Sequence, residues 1–118
     1  MTDSQIDFEI SFFEKLAKRD PNFIAALIPL AEAYTKKGLH EKALPIDQRL
    51  TKLCPEDPAA HYNLACSLAL IGRKEEALQA LEGAVVLGYD DFKHLRQDPD
   101  LKSLHSEPRF QSLLLTKK

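Results

Sequence analysis

The sequence predicts an all-α protein built from antiparallel helix pairs that stack on one another. A pattern of small and apolar residues recurs with a spacing of 34 residues, as Gly38 and Gly72 illustrate. Inside each unit, the apolar positions follow the period of a helix. The 118 residues are 44% hydrophobic and 29% charged, which is typical of one folded domain, so we expect residues 1–118 to form a single domain.

The segment 4–21 is predicted to be a lone helix, equivalent to the second helix of a preceding repeat. Ser4 and Asp7 have the spacing of a capping box. The predicted apolar stripe comprises Ile6, Ile10, Phe13 and Ala17. Phe8 and Phe12 lie on a neighbouring face. Either they fold onto the first repeat and thicken its core, or they stay exposed and mediate self-association into a homodimer.

Repeat one is predicted to span residues 22–55. Its first helix carries an apolar stripe of Leu27, Leu30, Ala31 and Tyr34. Gly38 suits the left-handed conformation just past a helix end, so a second helix should follow it. That second helix carries Ala43, Leu44, Ile46, Leu50 and Leu53. Pro29 and Pro45 fall inside these helices, and we expect kinks there because proline removes a backbone donor.

Repeat two is predicted to span residues 56–89, in the same register as repeat one. A shift of 34 residues superimposes small and apolar residues of the two repeats, namely Leu64, Ala65, Ala77, Leu78 and Leu87 of the second. Gly83 is expected inside the second helix, at a point of close packing. Cys54 and Cys66 match no disulfide framework or zinc motif, and we expect both to be buried, reduced thiols.

Residues 90–118 break the period and are predicted to form short capping helices. The breaks fall at Asp98-Pro99 and at Ser106-Glu107-Pro108, where Ser106 can act as an N-cap. The end of a helical array exposes an apolar face, and a terminal cap must cover it. These short helices are therefore expected to shield the last repeat from water.

The sequence resembles the tetratricopeptide repeat (TPR) family over roughly three quarters of its length. The family's first-helix pattern is found in Leu27, Leu30, Ala31 and Tyr34, and the match continues through Ala43 and Pro55. Asp47, His61 and Tyr89 depart from the pattern. The resemblance implies a short right-handed α-solenoid, and the C-terminal segment resembles the element that terminates many bacterial TPR arrays.

The resemblance also implies a binding groove, because the first helix of each repeat lines the concave side of such arrays. The groove-lining positions correspond to Ile28, Glu32, Thr35, Lys36, Tyr62, Asn63, Cys66, Ala69 and Leu70. This set is mostly apolar, so an apolar protein or peptide segment is the expected partner. Only Asn63 fits the clamp that some family members use for chaperone C-termini. Alternatively, the C-terminal tail covers Ala69 and Leu70 and leaves no open groove.

The sequence predicts a non-catalytic adaptor or scaffold without a cofactor. His40-Glu41 lacks the second histidine of a zinc-protease motif, and Cys66 has no obvious base nearby, so neither a metal site nor a catalytic residue is predicted. A net charge of -2 without a basic stripe argues against nucleic acid. Without a secretory signal or a membrane-spanning run, we expect a cytoplasmic protein and no membrane partner.

Overall fold

In a computed structural model that describes residues 2–115, every regular element is a helix, which confirms the all-α prediction. The elements are α1 (Asp3–Arg19), α2 (Ile24–Lys36), α3 (His40–Leu53), α4 (Pro58–Leu70), α5 (Lys74–Val86), α6 (Phe92–Gln97), a 3₁₀ helix (Pro99–Leu104) and α7 (Pro108–Leu115). They form two compact units, of which the first ends at Pro55 and the second begins at Glu56. The predicted organisation as one domain of two repeats with terminal helices stays a prediction.

The first unit contains α1, α2 and α3, with α2 packed against both other helices. Its core centres on Leu30, Tyr34 and Ala43. The predicted stripe of α1 supplies part of the surrounding apolar shell, through Ile10, Phe13 and Ala17. The Tyr34 hydroxyl also donates a hydrogen bond to Glu14 of α1. Apolar packing and this bond together hold α1 on α2.

The capping box of α1 lies two residues before the predicted one. Thr2 accepts a hydrogen bond from the backbone N–H of Gln5 at 3.2 Å, and the Gln5 side chain accepts one from the backbone N–H of Thr2 at 2.9 Å. The prediction of Ser4 and Asp7 for this role was wrong, because the helix begins at Asp3 and its free N–H groups therefore lie earlier.

Gly38 and Gly72 end α2 and α4 as their repeated positions predict. Their φ angles are 81° and 86°, in the left-handed region that favours glycine. After Gly38, the Leu39 N–H donates a hydrogen bond to the Tyr34 carbonyl at 2.8 Å. After Gly72, the Arg73 N–H donates the equivalent bond to the Leu68 carbonyl at 2.9 Å. This arrangement satisfies carbonyl groups that a helix end leaves free, and it turns the chain into the next helix.

Three residues that weaken helices lie inside helices, where the sequence places them. Both α2 and α3 continue through Pro29 and Pro45, so neither proline ends its helix. Gly83 lies inside α5 as predicted, but the expected close packing was wrong. A Cβ atom built on Gly83 would meet open space, because no other side chain or backbone segment approaches within 4 Å.

The second unit combines the pair α4 and α5 with the C-terminal segment 92–115. Ala65 and Ala77 are completely buried, as small residues at a close helix contact should be. The 3₁₀ helix packs against α4, and α7 packs against α5. The largest fully buried side chains of this unit are Leu81, Leu95, Leu101, Leu104 and Phe110. Most of these come from the C-terminal segment, which is therefore part of the core.

Two further sequence expectations concern the cysteines and the membrane. Both cysteines are free, but only Cys66 is buried, while Cys54 at the end of α3 is half-exposed. The expected burial of Cys54 was wrong because it follows α3 as its C-cap and leaves the apolar stripe. Within residues 2–115, every helix is too short or too polar to cross a membrane.

Candidate interaction surfaces

The most regular exposed face in the first unit lies on α2. We define the α2 surface as Ile24, Ile28, Glu32 and Lys36, which follow one another at four-residue intervals and so share one side of the helix. Ile28 is 44% exposed and Ile24 is 36% exposed, although the opposite side of α2 is buried in the core. The exposed isoleucines therefore form an apolar stripe that ends in two opposite charges.

Thr35 belongs to the predicted groove but is less accessible than its neighbours on α2. It is half-buried, and its hydroxyl donates a hydrogen bond to the Ala31 carbonyl at 3.0 Å. The hydroxyl is thus already used by the helix that carries it. Ile28, Glu32 and Lys36 are the predicted groove residues of this unit that lie open to solvent.

The predicted groove residues of the second unit lie mostly beneath the C-terminal segment. Tyr62 is only 5% exposed, Cys66 is 8% exposed, and Ala69 is also buried. Asn63 remains exposed and Leu70 is half-buried. The covering element is the 3₁₀ helix, whose buried leucines pack apolar surface against α4 and remove it from water. A role for these α4 residues in partner binding stays a prediction.

Asp98 holds the C-terminal segment on α4 through a buried hydrogen-bond network. Its Oδ2 atom accepts from the Tyr62 hydroxyl at 2.5 Å and from the Cys66 thiol at 3.7 Å, and it lies 3.2 Å from His94 Nε2. Its Oδ1 atom accepts from the backbone N–H of Asp100 at 3.0 Å and caps the 3₁₀ helix. Sequence reasoning missed this residue, although an aspartate before Pro99 is a typical helix N-cap.

The environment of this network suppresses reactivity at Cys66. Burial, followed by the nearby charge of Asp98, raises the pKa of the thiol well above its ordinary range. Burial and the hydrogen bond to Asp98 likewise raise the pKa of Tyr62, whose ring stacks on Tyr89 with centroids 4.3 Å apart. A protonated thiol is a poor nucleophile and a poor metal ligand, so this arrangement favours a structural role.

Three side chains of this network carry potential metal-ligand atoms that lie close to one another. One ligand atom each from Cys66, Asp98 and Asp100 lies within 4.8 Å of the other two. The Cys66 thiol donates to Asp98, and Asp98 caps the helix that starts beside Asp100. A hydrogen bond within the protein thus accounts for the contact between Cys66 and Asp98, which belongs to the folded core.

A second exposed apolar face lies on α1. We define the α1 surface as Phe8 and Phe12, which are 69% and 48% exposed. Their rings stack on each other, with centroids 6.2 Å apart and planes inclined by 14°. Phe12 also meets the edge of Phe13, which packs toward the core. The two rings therefore form an exposed aromatic patch, and their role in self-association stays a prediction.

Helix pairs repeated at a 34-residue spacing define a TPR-like helical repeat protein, and comparisons with known proteins agree with this class. The bacterial transcriptional activator domain family matches residues 12–108, and the chain belongs to this family. The resemblance to TPR proteins is thereby confirmed at the level of the TPR-like repeat. The more specific likeness of the C-terminal segment to the terminating element of bacterial arrays stays a prediction.

Two individual proteins illustrate the relationship. A chloroplastic protein from Arabidopsis thaliana is 38% identical over 84 residues, which cover 69% of this chain. The aligned region spans only 25% of the length of that protein. The solved structure of MamA from residue 41 to its end, from Desulfovibrio magneticus RS-1, matches with a TM-score of 0.73 and 19% identity. The match covers 96% of this chain and 66% of the MamA chain, and at this identity it shows a shared fold.

Proposed function

We propose that this chain is a non-catalytic protein-interaction module that binds an amphipathic partner helix on the α2 surface. The observation that carries the proposal is the exposure of Ile24 and Ile28 on a helix whose other side is buried. The TPR-like fold supports an interaction or scaffold role in general. We locate that role on the α2 surface of the first unit as part of the proposal.

The spacing of the exposed isoleucines suits a helical partner. Side chains four residues apart form a continuous ridge, which can lie against a matching apolar stripe on another helix. Fully burying an isoleucine contributes about 1.5–3 kcal/mol, so covering two half-exposed isoleucines would contribute on the order of 2 kcal/mol in total. Such a surface fits a weak, reversible contact that neighbouring polar residues make specific.

Glu32 and Lys36 provide the means to choose a partner and its orientation. They lie beyond the isoleucines on the α2 surface and carry opposite charges one helical turn apart. A partner with a basic residue facing Glu32 and an acidic residue facing Lys36 would bind in one direction, because the reverse direction would oppose like charges. The proposed partner is therefore an amphipathic helix with an apolar stripe and a charged pair at one end.

The charge of the chain favours a protein partner, although the family is named for bacterial transcriptional activators. Sixteen basic and eighteen acidic residues give a net charge of -2. Binding to nucleic acid phosphates depends on a concentration of basic residues. We place the role of this domain in contacts with other proteins. Asn63 and Leu70 of the predicted groove remain secondary candidates on α4.

A peptide selection tests the proposal directly. Helical peptides with varied apolar and charged positions would be selected for binding to the chain, and their affinities measured by fluorescence anisotropy. The double variant Ile24→Glu, Ile28→Glu should lose binding at least tenfold, which corresponds to about 1.4 kcal/mol. Val86→Glu, Leu115→Glu is a matched control, because both side chains are strongly exposed elsewhere.

Circular dichroism of each variant would establish that the fold is retained. Selected peptides that bind the α2 variant and the control equally well would refute the proposed site. Selection of peptides without an apolar stripe would contradict the proposed partner class.

A further inference from the structure

We propose that Cys66, Asp98 and Asp100 bind a zinc ion between α4 and the start of the 3₁₀ helix. His94 supplies the fourth ligand by a rotation of its side chain. The inference concerns the second unit and does not depend on the α2 surface. It adds a metal-binding property to the proposed role in protein contacts.

The ligand atoms lie at distances that one zinc ion can bridge. The Cys66 Sγ atom is 3.7 Å from Asp98 Oδ2. Zinc bonds of about 2.3 Å to sulfur and about 2.0 Å to oxygen place two such atoms roughly 3.5 Å apart in a tetrahedral site. One carboxylate oxygen of Asp100 lies within 4.8 Å of the Cys66 sulfur and of a carboxylate oxygen of Asp98. Small movements of the side chains therefore bring all three ligands to one ion.

His94 approaches the same carboxylate from α6. Its Nε2 atom is 3.2 Å from Asp98 Oδ2, and its side chain is 54% exposed. A nitrogen and an oxygen bound to the same tetrahedral zinc ion are roughly 3.3 Å apart. Because more than half of the imidazole side chain lies in solvent, it can turn toward the ion without disturbing the core. The complete set is then one sulfur, one nitrogen and two oxygen ligands.

The charges around Cys66 favour a cation. Burial, and then the charges of Asp98 and Asp100, raise the pKa of the thiol. Charges interact strongly at such a place, because it is partly removed from water. A divalent cation deprotonates a thiol that it binds, and the proton passes to the solvent. The two carboxylates that keep the thiol protonated in the metal-free chain would thus attract the ion and help to neutralise it.

Asp98 is held in place as a ligand by its other hydrogen bonds. The Tyr62 hydroxyl donates to Oδ2 at 2.5 Å, and the backbone N–H of Asp100 donates to Oδ1 at 3.0 Å. Hydrogen bonds of this kind orient a ligating carboxylate and strengthen metal binding. A set that includes sulfur and nitrogen suits zinc, whereas calcium and magnesium take oxygen ligands. The site is therefore expected to prefer zinc to magnesium.

A bound ion would fasten the C-terminal segment to α4. Cys66 belongs to α4, whereas Asp98 and Asp100 lie at the start of the 3₁₀ helix. An ion that binds the folded chain more tightly than the unfolded chain stabilises the fold. Cys66 and Asp98 are 32 residues apart in the chain, which explains why the sequence shows no metal motif.

Metal titrations of the whole chain, first freed of metal with EDTA, test the site. Calorimetry with Zn²⁺ should show one saturable site, and Mg²⁺ should bind at least tenfold more weakly. Co²⁺ should give the absorption of a tetrahedral ion bound to a thiolate. Cys66→Ala should remove this absorption and weaken Zn²⁺ binding at least tenfold. The control Cys54→Ser removes the other cysteine and should bind both metals like the unchanged chain.

A second variant keeps the test decisive if Cys66→Ala lowers the stability of the fold. Asp100→Asn preserves the size of the side chain and the backbone N–H that Asp98 accepts from, and it should also weaken Zn²⁺ binding at least tenfold. Circular dichroism of the metal-free variants checks their folds. The proposal is overturned if the unchanged chain shows no saturable Zn²⁺ binding, if Co²⁺ binds without thiolate absorption, or if both variants bind Zn²⁺ as tightly as the unchanged chain.

Discussion

Helices α2 and α4 occupy equivalent places in the two repeats, yet their corresponding faces differ in exposure to solvent. A shift of 34 residues takes Ile28 to Tyr62 and Glu32 to Cys66. Ile28 is 44% exposed, whereas Tyr62 is 5% exposed. The difference follows from the neighbours of each helix, because the C-terminal segment packs on α4 within the second unit. The same position in a repeat can therefore be exposed in one unit and a core position in another.

The residue types on the two faces agree with their difference in solvent exposure. The α2 face ends in Glu32 and Lys36, whose charges favour contact with water. The equivalent positions of α4 are Cys66 and Leu70, which can be covered without leaving a charge unpaired. Asp98 adds the polar contact that aligns the covering segment. The comparison can be sharpened by variants that uncover α4 or disturb its packing.

The largest effect should come from Asp98→Ala. The substitution leaves the buried Tyr62 hydroxyl without its acceptor and removes the cap of the 3₁₀ helix. The second unit should lose about 2–4 kcal/mol of stability, because an unsatisfied buried group and a lost cap each cost about 1–2 kcal/mol. Urea unfolding combined with amide hydrogen exchange would measure the loss and locate it.

The control is Glu32→Ala at an exposed position of α2, which should change stability by no more than about 0.5 kcal/mol. If Asp98→Ala matched this control, the network would not be what holds the C-terminal segment on α4.

Enlarging a small core residue should have the next largest effect. Ala65 and Ala77 are fully buried where α4 meets α5. Ala65→Leu or Ala77→Leu should destabilise the protein by about 1–3 kcal/mol, because the added atoms force the helices apart. Thermal unfolding followed by circular dichroism is the measurement. Unchanged melting in both variants would disprove the packing register of this helix pair.

Alkaline pH should weaken the second unit through Tyr62 and Cys66. Burial raises the pKa of both groups, so the folded state prefers their protonated forms. Their contribution is fully present below the ordinary thiol pKa of about 8.5 and is lost as the pH rises through that value and through about 10 for tyrosine. The free energy of unfolding should therefore fall steadily above about pH 8.5.

The double variant Tyr62→Phe, Cys66→Ala removes both titrating groups. It should be less stable at neutral pH, yet its stability should change less between neutral and alkaline pH. An unchanged slope in the variant would show that other groups cause the alkaline loss.

The smallest effect should be a gain from Gly83→Ala. A Cβ at this position meets open space, and Gly83 lies inside α5 with ordinary helical geometry. Alanine should stabilise the second unit by about 0.5–1 kcal/mol, since glycine has the greater conformational freedom in the unfolded chain. A lower midpoint of chemical unfolding would indicate that a neighbouring group does approach this position.

Much of the fold could be predicted because its signals are local. The apolar period marks each long helix, and Gly38 and Gly72 mark two helix ends by their left-handed conformation. The burial of Tyr62 could not be deduced in the same way, because it depends on a segment more than thirty residues later in the chain. The open space around Gly83 could not be predicted either, because the sequence alone does not show which helix faces pack against neighbours.

The candidate surfaces show the same limit. Ile28, Glu32 and Lys36 were identified from their positions in the repeat, and their exposure agrees with a surface role. Ile24 was not identified, because its position at the helix start carries no repeat signal. For Phe8 and Phe12, the sequence left burial and exposure open, and the choice depends on how α1 packs on α2.

Thiol labelling at the equivalent positions of α2 and α4 tests the central difference most directly. In a Cys54→Ser background, the native Cys66 would be compared with Glu32→Cys in a chain that also carries Cys66→Ala. The account predicts that the α2 thiol reacts at the rate of an open surface group, while Cys66 reacts only as fast as the second unit unfolds. Equally fast labelling of Cys66 in the folded chain would show that α4 is open, and the contrast between the two units would be wrong.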